Sequence, residues 1–270
     1  MGRYELTDAQ WERLEPLLPP EKPRTGRPNH SHRRMINGML WIARSGAPWR
    51  DLPERYGAFG TVASRFYRWR HAGAHSGGIA GPCRPPGSGR LEASFRGQLD
   101  CSRSSARGWR PEGQRRKKGI DGEALGRSRG GFSTKIHIRA EGLGKPVTFS
   151  LTGGEVHDSK AFATLMGSGW IKRLGRGRPR LKPERLAADK AYSSGVIRSA
   201  LRRRGIQPVI PTKSNERPDP TFDRDAYRER NRVERLINKL KQFRRIATRY
   251  EKRAANYLAM ITIVATLLWL

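Results

Sequence analysis

Two neighbouring stretches alternate apolar and polar residues at period two. "GGFSTKIHIRAEG" carries Phe132, Thr134, Ile136 and Ile138 on one phase, and "KPVTFSLTGGEVHD" carries Val147, Phe149 and Leu151. Period two is the pleat of a strand, and so short a link between the runs predicts a pair of antiparallel strands. Beyond this hairpin, helix and strand patterns alternate. A helix is expected around "DSKAFATLM", then a basic link, "KRLGRGRPRLKP", then a short apolar strand in "ERLAADKAYSS" ending at Asp189. A helix through "SGVIRSALRRRG", a strand in "IQPVIPTK", a long helix over about 225–248 and an apolar terminal helix complete the order. A hairpin and then strands alternating with helices predict an α/β fold with a mixed sheet.

The first 72 residues read differently. Leu6, Trp11, Leu14, Leu17 and Leu18 fall at helical spacing, with Thr7 as N-cap and Pro19-Pro20 as a stop. "SHRRMINGMLWIARSG" repeats the pattern and ends at Gly46; "APWRDLPERYG" is a tight corner with a short helix. "TVASRFYRWRHAG" gives another helix, with Val62, Phe66 and Trp69 inward and Arg65, Arg68 and Arg70 on the polar side. Short helices around tight corners suit a small helix-turn-helix-like module, whose last helix would contact a DNA groove. A helical cap with solvated arginines has the same pattern.

Charge narrows the partners. Fifty-five Lys and Arg against twenty-four Asp and Glu leave a formal charge of +31, which points to a polyanion, first of all nucleic acid. RNA is disfavoured because RNA-stacking aromatic motifs are missing. Cys83 and Cys101 form no CxxC pair, which suits a reduced cytoplasmic setting. The run "NYLAMITIVATLLWL" is apolar for about 13 residues, short of the roughly 20 that span a bilayer, so it is expected as a buried terminal helix.

Asp189 ends a predicted strand, where α/β sheets present functional groups; it could equally cap the next turn or pair with Lys190. Glu234 shares one helical stripe with Tyr227, Arg230 and Lys241, next to the apolar stripe of Val233, Leu236, Ile237 and Leu240. Such a cluster is either a salt-bridge ladder or a carboxylate metal ligand flanked by cations aimed at phosphate. His157 and Asp158 are either a cap plus a surface histidine or contributors to the same chemistry, with Asp158 a reserve carboxylate.

These residues carry a resemblance. "YRERNRVERLINKLK" resembles the Y-(2)-R-(3)-E-(6)-K signature of DDE-type insertion-sequence transposases, and "ADKAYSS" resembles the segment bearing that family's second aspartate. "NGMLWIARSGAPWRDLPERYG" and "ALGRSRGGFSTKIH" are similar to insertion-sequence group five (IS5-like), so that the likeness covers about 1–72 and 116–270. The resemblance implies a ribonuclease-H-like catalytic domain behind the helical module. It also implies two Mg²⁺ (or Mn²⁺) ions held by Asp189 and Glu234, with Tyr227, Arg230 and Lys241 positioning DNA. Partners would be the terminal inverted repeats and target DNA, with the protein working as a homodimer or higher synaptic oligomer beside the bacterial nucleoid. Strand cleavage and transfer would be its reaction.

That family also needs an Asp on the first strand, and residues 73–115 stand in its place. Gly, Pro, Arg and Ser make up 26 of these 43 residues, so neither period survives, and the catalytic domain is expected to start at 116 without a clear first strand. Three readings compete: an arginine-rich DNA-binding linker, a divergent strand with Asp100 as the missing ligand, and a slip of the reading frame. The slip is favoured. Under suitable synonymous codons, a one-nucleotide shift over Phe95–Gln114 reads Ser-Val-Asp-Asn-Ser-Ile-Val-Arg, with the Asp codon straddling those of Gly97 and Gln98. A chain so altered is expected to bind DNA and to cleave it poorly.

Overall fold

The computed structural model describes residues 4–21, 30–73, 92–102, 122–128, 131–169 and 182–270, with 92–102 described by its backbone. Helix α1 spans Asp8–Leu14, and Thr7 closes a reciprocal capping box with Gln10 at its start. Helix α2 spans His32–Ser45 and stops at Gly46, whose φ of +75° is the left-handed conformation glycine adopts without a Cβ penalty. Two single 3-10 turns, Trp49–Asp51 and Glu54–Tyr56, make the corner into α3, Phe59–Gly73.

The sheet is mixed, as the alternation of elements predicts. Its strands are β1 (Glu92–Ser102), β2 (Gly126–Ser128), β3 (Gly131–Ala140), β4 (Pro146–Gly153), β5 (Arg185–Ala188) and β6 (Gln207–Val209), in the order β2-β3-β1-β5-β6. Strand β4 also pairs with β3, antiparallel, beyond the stretch where β2 does. Strand β1 runs antiparallel to β3 and parallel to β5, and β5 runs parallel to β6.

Strand β1 corrects the expectation that the sheet begins only after residue 116. An 11-residue strand lies inside the segment read as irregular. The backbone explains it. A slot between β3 and β5 offers two rows of hydrogen-bonding groups, and filling it satisfies both rows whatever the side-chain pattern of the incoming strand. The rest of the irregular segment beyond residue 73 and outside 92–102 lies outside the described residues.

Helices cover both faces. Leu165 of α4 (Phe162–Gly167) and Ile197 and Leu201 of α5 (Gly195–Arg203) pack with Leu186 and Ala188 on one face. On the other, Ile136 and Ile138 pack with Val233 and Leu236 of α7 (Asn231–Lys241) and with Tyr257 and Met260 of α9 (Ala254–Leu267). Met35, Met39 and Ile42 of α2 and Val62 and Phe66 of α3 belong to that same core. No gap in the packing of the described residues corresponds to the boundary expected at residue 72. Helix α9 is apolar all round and buries Tyr257, Met260, Ile261, Val264 and Ala265, matching the expected buried terminal helix. No helix among the described residues is long and apolar enough to cross a membrane.

The single long helix expected over 225–248 is broken into α6 (Arg224–Arg228), α7 and α8 (Arg244–Ala247). Asp223 restarts the chain by accepting from the Asp225 and Ala226 amides. Phe243, at extended angles and buried, separates α7 from α8.

Candidate active site at the ends of the parallel strands

Asp189 follows the last residue of β5 in extended conformation and caps the turn Lys190–Tyr192, its Oδ1 accepting from the Lys190 amide at 2.6 Å. The structure therefore contains the capping role; the half-buried carboxylate keeps its second oxygen for other work. Behind the turn, Tyr192 is wholly buried, with its hydroxyl 3.5 Å from His137 Nδ1. His137 Nε2 lies 2.8 Å from Thr152 Oγ1. Burial lowers the His137 imidazole below its ordinary value, and burial raises the Tyr192 phenol, so both are held neutral.

Glu234 lies in the first turn of α7, where its Oε1 accepts from Arg230 Nη2 at 2.7 Å. Arg230 is at the N-terminal boundary of α7, its side chain 17 % exposed, with its guanidinium 5.1 Å from the centroid of the Tyr227 ring. Its Nε and Nη1 are buried and make no hydrogen bond among the described residues. Burial is the main reason that the Tyr227 phenol is raised; Arg230 opposes the rise, and Asp189 and Glu234 add to it. Asp189, Arg230 and Glu234 thus lie within electrostatic reach of the Tyr227 phenol. Lys241 ends α7, exposed, about 10 Å along the axis from Glu234.

Two families match the sequence: one described as a transposase of the IS4/5 family (DUF4096) over residues 6–76, and one described as a transposase DDE domain over 103–269. The chain belongs to the DDE-domain transposases. A transposase for insertion sequence element IS6501 of Brucella ovis is 30 % identical over 52 % of this chain and 99 % of its own length. One for element IS402 of Burkholderia cepacia is 36 % identical over 45 % of this chain and 55 % of its own. An uncharacterized protein of Sinorhizobium fredii, y4sN, is 43 % identical over 25 % of this chain and 54 % of its own. The chain therefore spans about half the length of the last two. A crystal structure of the Mos1 strand transfer complex is similar with a TM-score of 0.26 and 11 % identity, covering 90 % of this chain and 70 % of that one.

For a DDE-domain chain the position of each carboxylate matters, and the sheet register fixes it. Phe95 of β1 pairs with Ala188 of β5, so position 96 comes alongside Asp189, and it pairs with Ile138 on the other side. The residues after Phe95 are Arg96, Gly97 and Gln98; none is acidic. Asp100 pairs with Lys135 beyond a bulge, about 13 Å further along the strand, so it is not the neighbour of Asp189. Asp158 is 6 % exposed and bound to Lys135 Nζ at 3.1 Å. Lys135 and His137 alternate with Ile136 and Ile138, which places Asp158 on the face of the sheet opposite α7. His157 is the cap with an exposed ring, its Nδ1 accepting from the Ser159 amide at 3.3 Å.

The described residues do not fit two divalent ions. Among the described residues no group of three or more His, Cys, Asp or Glu could hold a metal ion. A pair of Mg²⁺ ions calls for carboxylates that bridge and flank them.

The arginines of α3 divide. Arg65, expected on the polar side, is buried: its Nη1 is 3.4 Å from His32 Nδ1 and its guanidinium lies over the Trp69 ring. Helix α2 lies against that side of α3 through His32, which turns the position inward. Arg68 is exposed, whereas Arg70 binds the Asn256 side chain. The sequence reading missed the Lys135, His137 and Tyr192 cluster. Its signal was present in the alternation of strands with helices, because a sheet covered on both faces buries the polar phase of "TKIHIR" too.

Proposed function

We propose that this chain binds duplex DNA at the ends of an insertion element and holds a phosphodiester beside Asp189 without cutting it efficiently. The observation that carries this reading is Arg230. Two buried guanidinium nitrogens, Nε and Nη1, without partners among the described residues and next to Tyr227 and Glu234, are donors that call for acceptors, and a bound phosphate supplies one to Nη1. Tyr227, kept protonated by burial, donates to the same phosphate, and Lys241 reaches the next one along. Arg68 and the exposed side of α3 supply groove and backbone contacts. Pairing two element ends calls for at least two copies of the chain, acting in the cytoplasm at the nucleoid. The non-acidic run Arg96-Gly97-Gln98 accounts for weak cleavage.

Fluorescence anisotropy with duplexes carrying the terminal inverted repeats tests binding, and the same duplexes with Mg²⁺ or Mn²⁺ test cutting. Salt-dependent binding lost in Arg230→Ala, with little nicking, is expected. Robust metal-dependent nicking would replace this reading by that of an active transposase. The nucleotide sequence beneath residues 93–114 tests the slipped frame: an adjacent frame that encodes no aspartate-bearing strand removes it.

A further inference from the structure

The β2–β3 hairpin ends in an aromatic side chain that packing does not explain. Phe132 belongs to the apolar phase that buries Ile136 and Ile138, yet it is 45 % exposed. Directly across the ladder is Arg127, exposed, with its guanidinium 5.0 Å from the centroid of the Phe132 ring. Strand β2 lies at the edge of the sheet, so this flat, cationic pair faces solvent.

The base of the hairpin is rigid. Arg249, 1 % exposed, donates from Nη1 to Thr134 Oγ1 at 2.6 Å and to the Glu123 carbonyl at 2.9 Å, tying β3 to the segment that leads into β2. Thr134 Oγ1 itself donates to the Ala124 carbonyl at 2.7 Å. Gly126 and Gly153 leave the space that the Glu155 carboxylate fills; a Cβ at either would overlap it. An exposed aromatic on so fixed a base is preorganised for contact.

Its location is informative. Strands β1 and β5 are parallel and β3 is antiparallel to β1, so the start of β3 lies at the same end of the sheet as Asp189. Ser102 of β1 is opposite Ser133, which sets Phe132 about 20 Å beyond the level of Ala188. That is roughly six nucleotides of a DNA strand.

We infer that Arg127 and Phe132 form a stacking platform for an unpaired DNA base near the phosphate held at Asp189, an inference that rests on the DNA-binding reading. The chemistry favours an unpaired base over intact duplex, because an aromatic face stacks only on a base that has lost a neighbour. The guanidinium adds attraction for both the base and the backbone.

The test uses the full chain at fixed salt and two fluorescent probes of random sequence, a blunt duplex of about 30 base pairs and the same duplex with a 3′ overhang of about six thymidines. Wild-type protein is expected to prefer the overhang by about five- to tenfold. Phe132→Ala should abolish the preference and Phe132→Tyr should retain it, both with blunt-duplex affinity unchanged, whereas Arg127→Ala should reduce the preference and weaken binding to both probes. Thermal unfolding of each variant at the wild-type temperature confirms that the fold is intact, as expected for exposed positions. Duplex binding without any overhang preference, or a preference that survives Phe132→Ala, overturns the platform. Failure to bind either probe sinks the DNA-binding reading itself.

Discussion

Lys135 Nζ lies 3.1 Å from Asp158 Oδ1, with Asp158 buried and Lys135 mostly so, on the face of the sheet away from Glu234. Lys135 also donates to the Val156 carbonyl at 2.8 Å, so the pair ties β3 to the loop after β4. Removing one partner strands the other charge without water. Asp158→Ala is expected to cost about 3–5 kcal/mol of stability, measured by urea unfolding. A replacement of both partners by apolar residues should recover much of that loss. Asp158→Ala as stable as wild type would show that the pair is solvated.

His137 predicts a pH dependence. Its imidazole is held below the ordinary value by burial, so the unfolded chain takes up a proton that the folded chain refuses. Stability is therefore full above about pH 6.5 and declines as pH falls below it. His137→Gln should flatten the decline in thermal midpoint between about pH 6.5 and pH 5. An unchanged slope in that variant would assign the decline to other groups.

Arg230 should matter more for binding than for folding. Arg230→Lys keeps the charge and loses the planar fork, so its DNA affinity should lie between those of wild type and Arg230→Ala. Because Nε and Nη1 have no partner among the described residues, Arg230→Met should leave the unfolding midpoint unchanged or raised. A sharp drop in that midpoint would mean that Arg230 is a structural residue.

The register also predicts a gain. Arg96→Asp puts a carboxylate alongside Asp189, and isothermal titration with Mn²⁺ should show at least about tenfold tighter binding than wild type. Asp100→Ala should leave Mn²⁺ binding as it was. Equal affinity in wild type and Arg96→Asp would place the gap elsewhere.

The common core of helices and sheet gives a further expectation. Phe66 on α3 packs in the same cluster as Ile136, Val233 and Tyr257. Phe66→Ala should cost about 3–5 kcal/mol and shift a single transition seen equally by far-ultraviolet dichroism and by Trp fluorescence. Two separated transitions would mean that the N-terminal helices unfold alone.

Much of the fold was legible in the chain. Thr7, Gly46 and Pro19-Pro20 are local signals, and they bound α1 and α2 close to where the caps fall. Period two located β3 and β4, because one face of each is in water-free packing and the other carries polar groups. Strand β1 was illegible for a physical reason: its place is set by the ladders of β3 and β5, and no side-chain period is needed to fill it. The break after Arg228 hid in a stretch with no Gly or Pro to mark it. Arg65 looked solvated because the side chain it meets, His32 of α2, lies 33 residues earlier in sequence, beyond any local pattern.

A strand held from both sides by backbone bonds makes the fold indifferent to what is lost along it. A carboxylate can be missing from β1 while the sheet, the cap at Asp189 and the Arg230–Glu234 pair stay assembled. Under the proposed function, such a chain occupies its recognition sequence and leaves it intact. The same proposal makes it a competitor of any cutting relative that reads the same sequence, with an effect that rises with its own abundance.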